Sequence, residues 1–168
     1  MAKNTIKLKK YNDIINEYDA AAAIIPGELI ELTTAGTVRA HATEGGNVLP
    51  MFALEDELQG NDIDDAYAAD DKVQCWVTVR GEEVYAILED NNHVHIGDFL
   101  ESNGAGELQL YYVDIGSGGE VEYGHSIVGI ALEEIDLTGS SGAESSGWGY
   151  DSSVSPLGFN RRIKIRVL

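Results

Sequence analysis

The clearest pattern of apolar and polar positions lies at the two ends of the chain. From Arg162 to Val167 the alternation is strict, with Ile163, Ile165 and Val167 on one side of an extended backbone and Arg162, Lys164 and Arg166 on the other. That pattern predicts a half-buried strand. Near the opposite end, Ile6 and Leu8 oppose Lys7 and Lys9 in a weaker version of it. In the middle, Val73, Cys75, Val77 and Val79 alternate with Gln74, Trp76 and Thr78, then Arg80-Gly81-Glu82-Glu83 interrupts and an apolar run from Val84 to Leu88 follows. Two strands around a glycine turn predict a β-hairpin, with Gly81 taking the positive φ its turn needs. Residues 12–23 suit a short helix or an extended arm, and residues 56–69 read as a polar excursion with one helical turn.

An internal echo is more informative. The run Pro26-Gly27-Glu28-Leu29-Ile30-Glu31-Leu32-Thr33-Thr34-Ala35-Gly36-Thr37-Val38 returns as Ile96-Gly97-Asp98-Phe99-Leu100-Glu101-Ser102-Asn103-Gly104-Ala105-Gly106-Glu107-Leu108. After each copy comes a similar apolar segment, Pro50 to Asp56 in the first and Val128 to Glu134 in the second. Each unit predicts a turn glycine, a strand, a glycine hairpin and a further strand. Pairing two such units closes a sheet and removes its edges, which predicts an all-β fold built as a small β-barrel with approximate internal symmetry. The domain plan is an extended N-terminal arm over residues 1–20 and a single barrel domain over 21–168, with a long Gly/Ser-rich loop at 138–153.

Composition supports a β-rich reading, with 19 glycines in 168 residues and 8% aromatic residues. Charge adds more. All 29 acidic residues fall between positions 11 and 160, where only Arg39, Lys72 and Arg80 are basic, and the other Lys and Arg residues sit at the two ends; the net charge is −18. Such a body repels phosphate backbones and anionic lipid, so neither nucleic acid nor a membrane is an expected partner. The basic strand faces are open to two readings, pairing with the body's own carboxylates or docking onto another protein. One cysteine, Cys75, excludes an internal disulfide, and no apolar run near the N-terminus is long enough for a signal peptide; synthesis in a reducing cytoplasm is expected.

Candidate chemistry is thin. Cys75 falls on the inward face of its strand, where a cysteine is a small core residue. His41 and His125 have no nucleophile motif beside them, and there is no Gly-x-Ser-x-Gly elbow, Walker loop or His-Glu-x-x-His helix. His93 and His95, two apart on a strand, would point the same way and supply half of a metal site with a carboxylate such as Asp98, but a solvated strand end explains them equally. Asn61, Asp62, Asp64 and Asp65 resemble a calcium loop in composition but lack its central glycine and distal glutamate. The expectation is therefore no catalytic residue, no metal and no cofactor. Trp148 and Tyr150, flanked by glycine in the 138–153 loop, are candidates for a surface contact.

The glycine unit at 27–38, the stretch Pro50 to Gly60, the strand from Lys72 to Val79 and the segment Ile96 to Gly106 together resemble the capsid decoration (cement) proteins of tailed bacteriophages. The likeness spans roughly residues 5–137 and the last strand, and the stretch 141–160 stands out as an insertion. The resemblance implies a compact β-barrel or β-tulip-like body, a non-enzymatic homotrimer that sits on the outer surface of the virion at junctions between major capsid subunits and holds the shell against internal DNA pressure. A mobile N-terminal arm with unpaired backbone groups is then a means of attachment, adding a strand to a capsid sheet while Lys3, Lys7, Lys9 and Lys10 meet acidic patches and Ile6 and Leu8 supply apolar contacts. Two other classes stay open: a carbohydrate- or receptor-binding β-module using Trp148 and Tyr150, and a small metal-dependent β-barrel enzyme using His93 and His95.

Overall fold

A computed structural model of the chain describes residues 6–9, 14–112, 125–138 and 161–168, with the backbone alone at 7–9 and 14. It is all-β, with no helix among the described residues. The strands are β1 (Lys7–Lys9), β2 (Ile14–Asp19), β3 (Ile30–Leu32), β4 (Val38–Ala40), β5 (Met51–Ala53), β6 (Lys72–Val77), β7 (Glu83–Ile87), β8 (His93–Val94), β9 (Phe99–Ser102), β10 (Leu108–Leu110), β11 (Ile127–Ala131), β12 (Ile135–Asp136) and β13 (Arg162–Val167).

The strand pairings fall into two rings. In the first, β2 pairs with β6 and β6 with β5, Phe52 of β5 bridges to Leu29 just ahead of β3, β3 pairs with β4, and Val38 of β4 bridges in parallel to Ala20 just past β2. In the second, β7 pairs with β13, β13 with β11, β11 with β9 and β9 with β10, and Leu108 of β10 bridges in parallel to Leu88 just past β7. Each circuit returns to the strand where it began.

The two rings are the same unit built twice, and the echo extends well past the glycine runs. Gly27 N–H donates to the Ala53 carbonyl at 2.8 Å, as Gly97 N–H does to Ala131 at 3.0 Å; Leu54 N–H donates to Gln74 at 2.8 Å, as Leu132 N–H does to Lys164 at 2.9 Å. The closing bridges match too, with Ala21 N–H on the Val38 carbonyl and Glu89 N–H on that of Leu108. Thus β2 to β6 correspond to β7, β9, β10, β11 and β13, residue for residue along the ladders. Even the hairpin tips agree: Thr33 Oγ1 accepts from Ala35 and Thr37 N–H, and Asn103 Oδ1 accepts from Ala105 and Glu107 N–H.

The predicted hairpins at the echoed segments are present as β3–β4 and β9–β10, with Gly27, Gly36, Gly97, Gly104 and Gly106 all at positive φ. Two expectations are corrected. The echoed units do not close one barrel together; no ladder joins them among the described residues, because each recruits two further strands and closes on itself. The strands flanking Gly81 turn there, with φ +94°, but do not pair as a hairpin. Instead β6 ends the first ring and β7 begins the second, and each finds its partners within its own ring.

The first ring encloses a small core of Ala20, Ile24, Ile30, Val38, Met51, Ala53, Tyr67, Val73 and Cys75. The second core is larger because it runs on from the ring interior (Leu88, Val94, Leu100, Leu108, Ala131, Ile163, Ile165) into the seam between the rings. Leu29, Phe52, Leu54 and Trp76 on the outside of the first ring join this cluster with Ile6 and Tyr85, and all six side chains are buried. At about 1.5–3 kcal/mol for each large apolar side chain buried, the seam is a substantial part of what holds the two rings together.

The extended arm is corrected as well. Ile6 is fully buried and donates its N–H to Glu55 Oε2 at 3.0 Å, β1 pairs with β7, and β2 is an integral strand of the first ring. The backbone of residues 7–9 and 14–19 is thus already committed to sheets within the chain, and Ile6 is core rather than a contact residue. At 12–23 the extended alternative holds from Ile14 onward, and residues 56–69 form turns rather than a helical turn.

Candidate functional site

The duplication places one surface on the molecule twice, covered once and bare once. On the outside of the first ring Leu29 and Phe52 face each other across a bridge, with Leu54 and Trp76 beside them, and they are 0–3% exposed. The corresponding residues of the second ring are Phe99, Ile130, Leu132 and Arg166. Phe99 pairs in register with Ile130 yet is 45% exposed, Ile130 and Leu132 are half-buried, and Arg166 is exposed with its guanidinium on Glu83 Oε1 at 2.9 Å. Ile127, on the strand that carries Ile130, adds further exposed apolar area, and Ile96 is exposed as well. A sheet face that one copy of a unit must bury is left open on the other.

Beside it lies a dense polar cluster. Glu101, fully buried, accepts from Gln109 at 3.0 Å and sits 2.8 Å from His125 Nδ1. Glu44 accepts from Tyr112 at 2.6 Å and from Gln109 at 3.0 Å, bonds that hold its carboxyl below the ordinary carboxylate range. Ser102 Oγ and His41 Nδ1 are 2.7 Å apart, with Glu31 Oε2 3.8 Å beyond the other ring nitrogen. The order Ser, His, Glu has the parts of a nucleophilic triad. Ser102 and His41 are each about 1% exposed, however, so no substrate reaches the hydroxyl, and the pair instead ties β9 to the end of β4 across the seam.

One buried carboxyl, Glu28, and one half-buried, Glu107, mark where the second ring's hairpin covers the first. Desolvation pushes Glu28 up to about 7; a hydrogen bond from Ile25 N–H opposes the shift, nearby Glu107 reinforces it and Arg162 opposes it. Glu107 is raised by the same desolvation, with Arg161, which bonds it directly, pulling the other way. Arg162 lies in the seam, donating to the Pro26 carbonyl at 2.6 Å and to that of Ile63. The basic residues of β13 thus meet the chain's own groups, Lys164 near Glu133 and Arg166 on Glu83, and the self-pairing reading holds for this strand.

Of the residues singled out in the sequence, Cys75 is buried in the first ring, where desolvation pushes its thiol up to about 12. The acidic turn at 61–65 is capped by its own carboxylates, Asp64 N–H on Asp62 and Asp62 N–H on Asp65, and Asp64 reaches Arg162 at 3.6 Å. His93 and His95 do come together, and Glu134 from the neighbouring strand end joins them. Lys3, Lys10, Trp148 and Tyr150 lie outside the described residues, as do the side chains of Lys7, Leu8 and Lys9. The bare face, the carboxyls of Glu28 and Glu107, and Glu134 were not singled out in the sequence; only the apolar residues of the echo pointed toward the first of them. In comparisons with known proteins, no family model matches the chain and no curated protein matches it.

Proposed function

We propose that this chain is a capsid decoration (cement) protein, a structural and non-catalytic molecule that seats as a homotrimer on the outside of a phage head where major capsid subunits meet. The observation that carries the reading is the bare face of Phe99, Ile130, Leu132 and Ile127, the counterpart of a surface the first ring buries against the second ring of the same chain. We assign that face to contact with the shell. The acidic body favours an adhesive protein over a nucleic-acid or membrane binder, since a net charge of −18 repels both. Neighbouring shell subunits bridged by such a molecule separate only when its contacts break, which couples its binding energy to the closed lattice.

Attachment through a free strand at residues 7–9 is not part of the proposal, because that backbone is paired with β7. The test mixes purified protein with bare capsids and follows co-sedimentation and electron microscopy of the particles, comparing wild type with Phe99→Glu. Loss of capsid binding in a variant that keeps its own sedimentation coefficient supports the assignment. A variant that binds normally overturns it, and one that loses its own oligomeric state reassigns the face to self-association.

A further inference from the structure

We infer that His93, His95 and Glu134 form a binding site for a divalent transition metal of the zinc class. The two histidines sit on and just after β8, whose pairing with β12 sets Val94 opposite Ile135 and so brings Glu134, the residue before β12, alongside them. Their rings stack at 4.4 Å with a 30° tilt, His93 Nε2 stands 3.5 Å from Glu134 Oε1, and all three donor atoms lie within 4.8 Å of one another. Donors sharing one tetrahedral zinc at about 2.0–2.1 Å stand roughly 3.3 Å apart, so one pair is already at bonding separation. The wider gap closes by about 1.5 Å, within reach of a rotation about a terminal torsion because all three side chains are exposed.

The ligand set suits zinc, nickel or copper rather than calcium or magnesium, since two imidazoles and one carboxylate are a nitrogen-rich donor set. Asp98 steadies the arrangement: its Oδ2 accepts the His95 backbone N–H at 2.8 Å and lies 3.7 Å from His95 Nδ1. The fold itself does not call for these residues. At the aligned positions of the first ring stand Ala23, Ile25 and Asp56, with no imidazole, and Ile24 there bridges to Tyr67 instead. The strongly acidic body raises the local concentration of cations near the site. Three donors from one chain leave at least one position of a tetrahedral ion for a further ligand.

The test titrates zinc chloride into the full-length protein at pH 7.5 by isothermal calorimetry, with cobalt absorption as a second readout of ligand geometry. One ion per chain is expected, with affinity at least about tenfold weaker in Glu134→Gln and stoichiometric binding lost in the double variant His93→Ala/His95→Ala. The variant Asp64→Asn/Asp65→Asn, which removes acidic charge elsewhere, should bind as wild type does. Circular dichroism without metal checks that each variant is folded. Absence of binding at millimolar zinc, or binding that the double histidine variant retains, overturns the site.

Discussion

Replacing Glu28 by glutamine should abolish a defined part of the protein's pH-dependent stability. The Glu28 carboxyl is 6% exposed and its pKa is raised from 4.5 to about 7, mainly by burial beneath the second ring's hairpin. Between those two values the folded protein keeps a proton that the unfolded chain releases, so stability falls as pH rises through the window and levels off above it. At about 1.4 kcal/mol per pKa unit the full effect is on the order of 3 kcal/mol. Glutamine is neutral throughout and still offers an oxygen to the Ile25 N–H, so the variant lacks this contribution to the slope. Urea unfolding of both proteins from pH 4.5 to pH 8 measures it, and the quantity of interest is the difference between the two curves. Glu107, Arg161 and Arg162 surround the site and titrate, or stay charged, in both proteins, while general repulsion among the acidic residues is nearly common to the two. The variant should be the more stable protein at pH 8 and lose that advantage toward pH 4.5. Parallel curves over the whole range would refute the buried-carboxyl argument.

The duplicated unit supplies matched controls for other substitutions. Gly27→Ala and Gly97→Ala place a side chain at nearly the same φ, +95° and +97°, at a cost of about 1–2 kcal/mol in each. At Gly27 the new Cβ would also lie 2.6 Å from an Arg162 nitrogen and 3.1 Å from the Tyr85 carbonyl oxygen, while at Gly97 it meets open space, so thermal melts should show a clearly larger loss for Gly27→Ala. Phe52→Ala should cost about 3–5 kcal/mol by chemical denaturation, and Ile130→Ala, its half-buried counterpart, well under half of that. Cys75 should resist a thiol-specific chromogenic reagent until the protein unfolds, because it is buried and its thiol is pushed up to about 12; rapid labelling under native conditions would contradict its place in the core.

The β class was legible from period-two alternation and glycine spacing, and the strand at 162–167 needed nothing more than Ile163, Ile165 and Val167. The echo at 26–38 and 96–108 gave both hairpins, because positive-φ glycines are punctuation that tertiary contacts rarely override. It did not show that the strands around Gly81 part company. A turn residue fixes where a chain reverses, whereas the choice of partner rests on burial: Trp76 points out of the first ring and is covered only once the second ring is in place. The burial of Ile6 was not legible for a similar reason, since Ile6 alternates with lysines in the way a surface strand does and its burial depends on Glu55 and Tyr85, far along the chain. The candidate metal site was half legible. His93 and His95 carry a recognisable spacing, but Glu134 is 41 positions from His93 and is placed beside it by the β8–β12 ladder.

The seam between the rings joins two different surfaces of the same unit, the outside of β5 and β6 on one copy and the neighbourhood of β7 and Arg162 on the other. A contact made from unlike halves does not use itself up, as a twofold one would. It leaves the second ring's counterpart of the covered face, at Phe99 and Ile130, without a matching ring of this chain to bury it. Fusing the units in one chain therefore fixes which surface of each ring is spent on the other and which stays open.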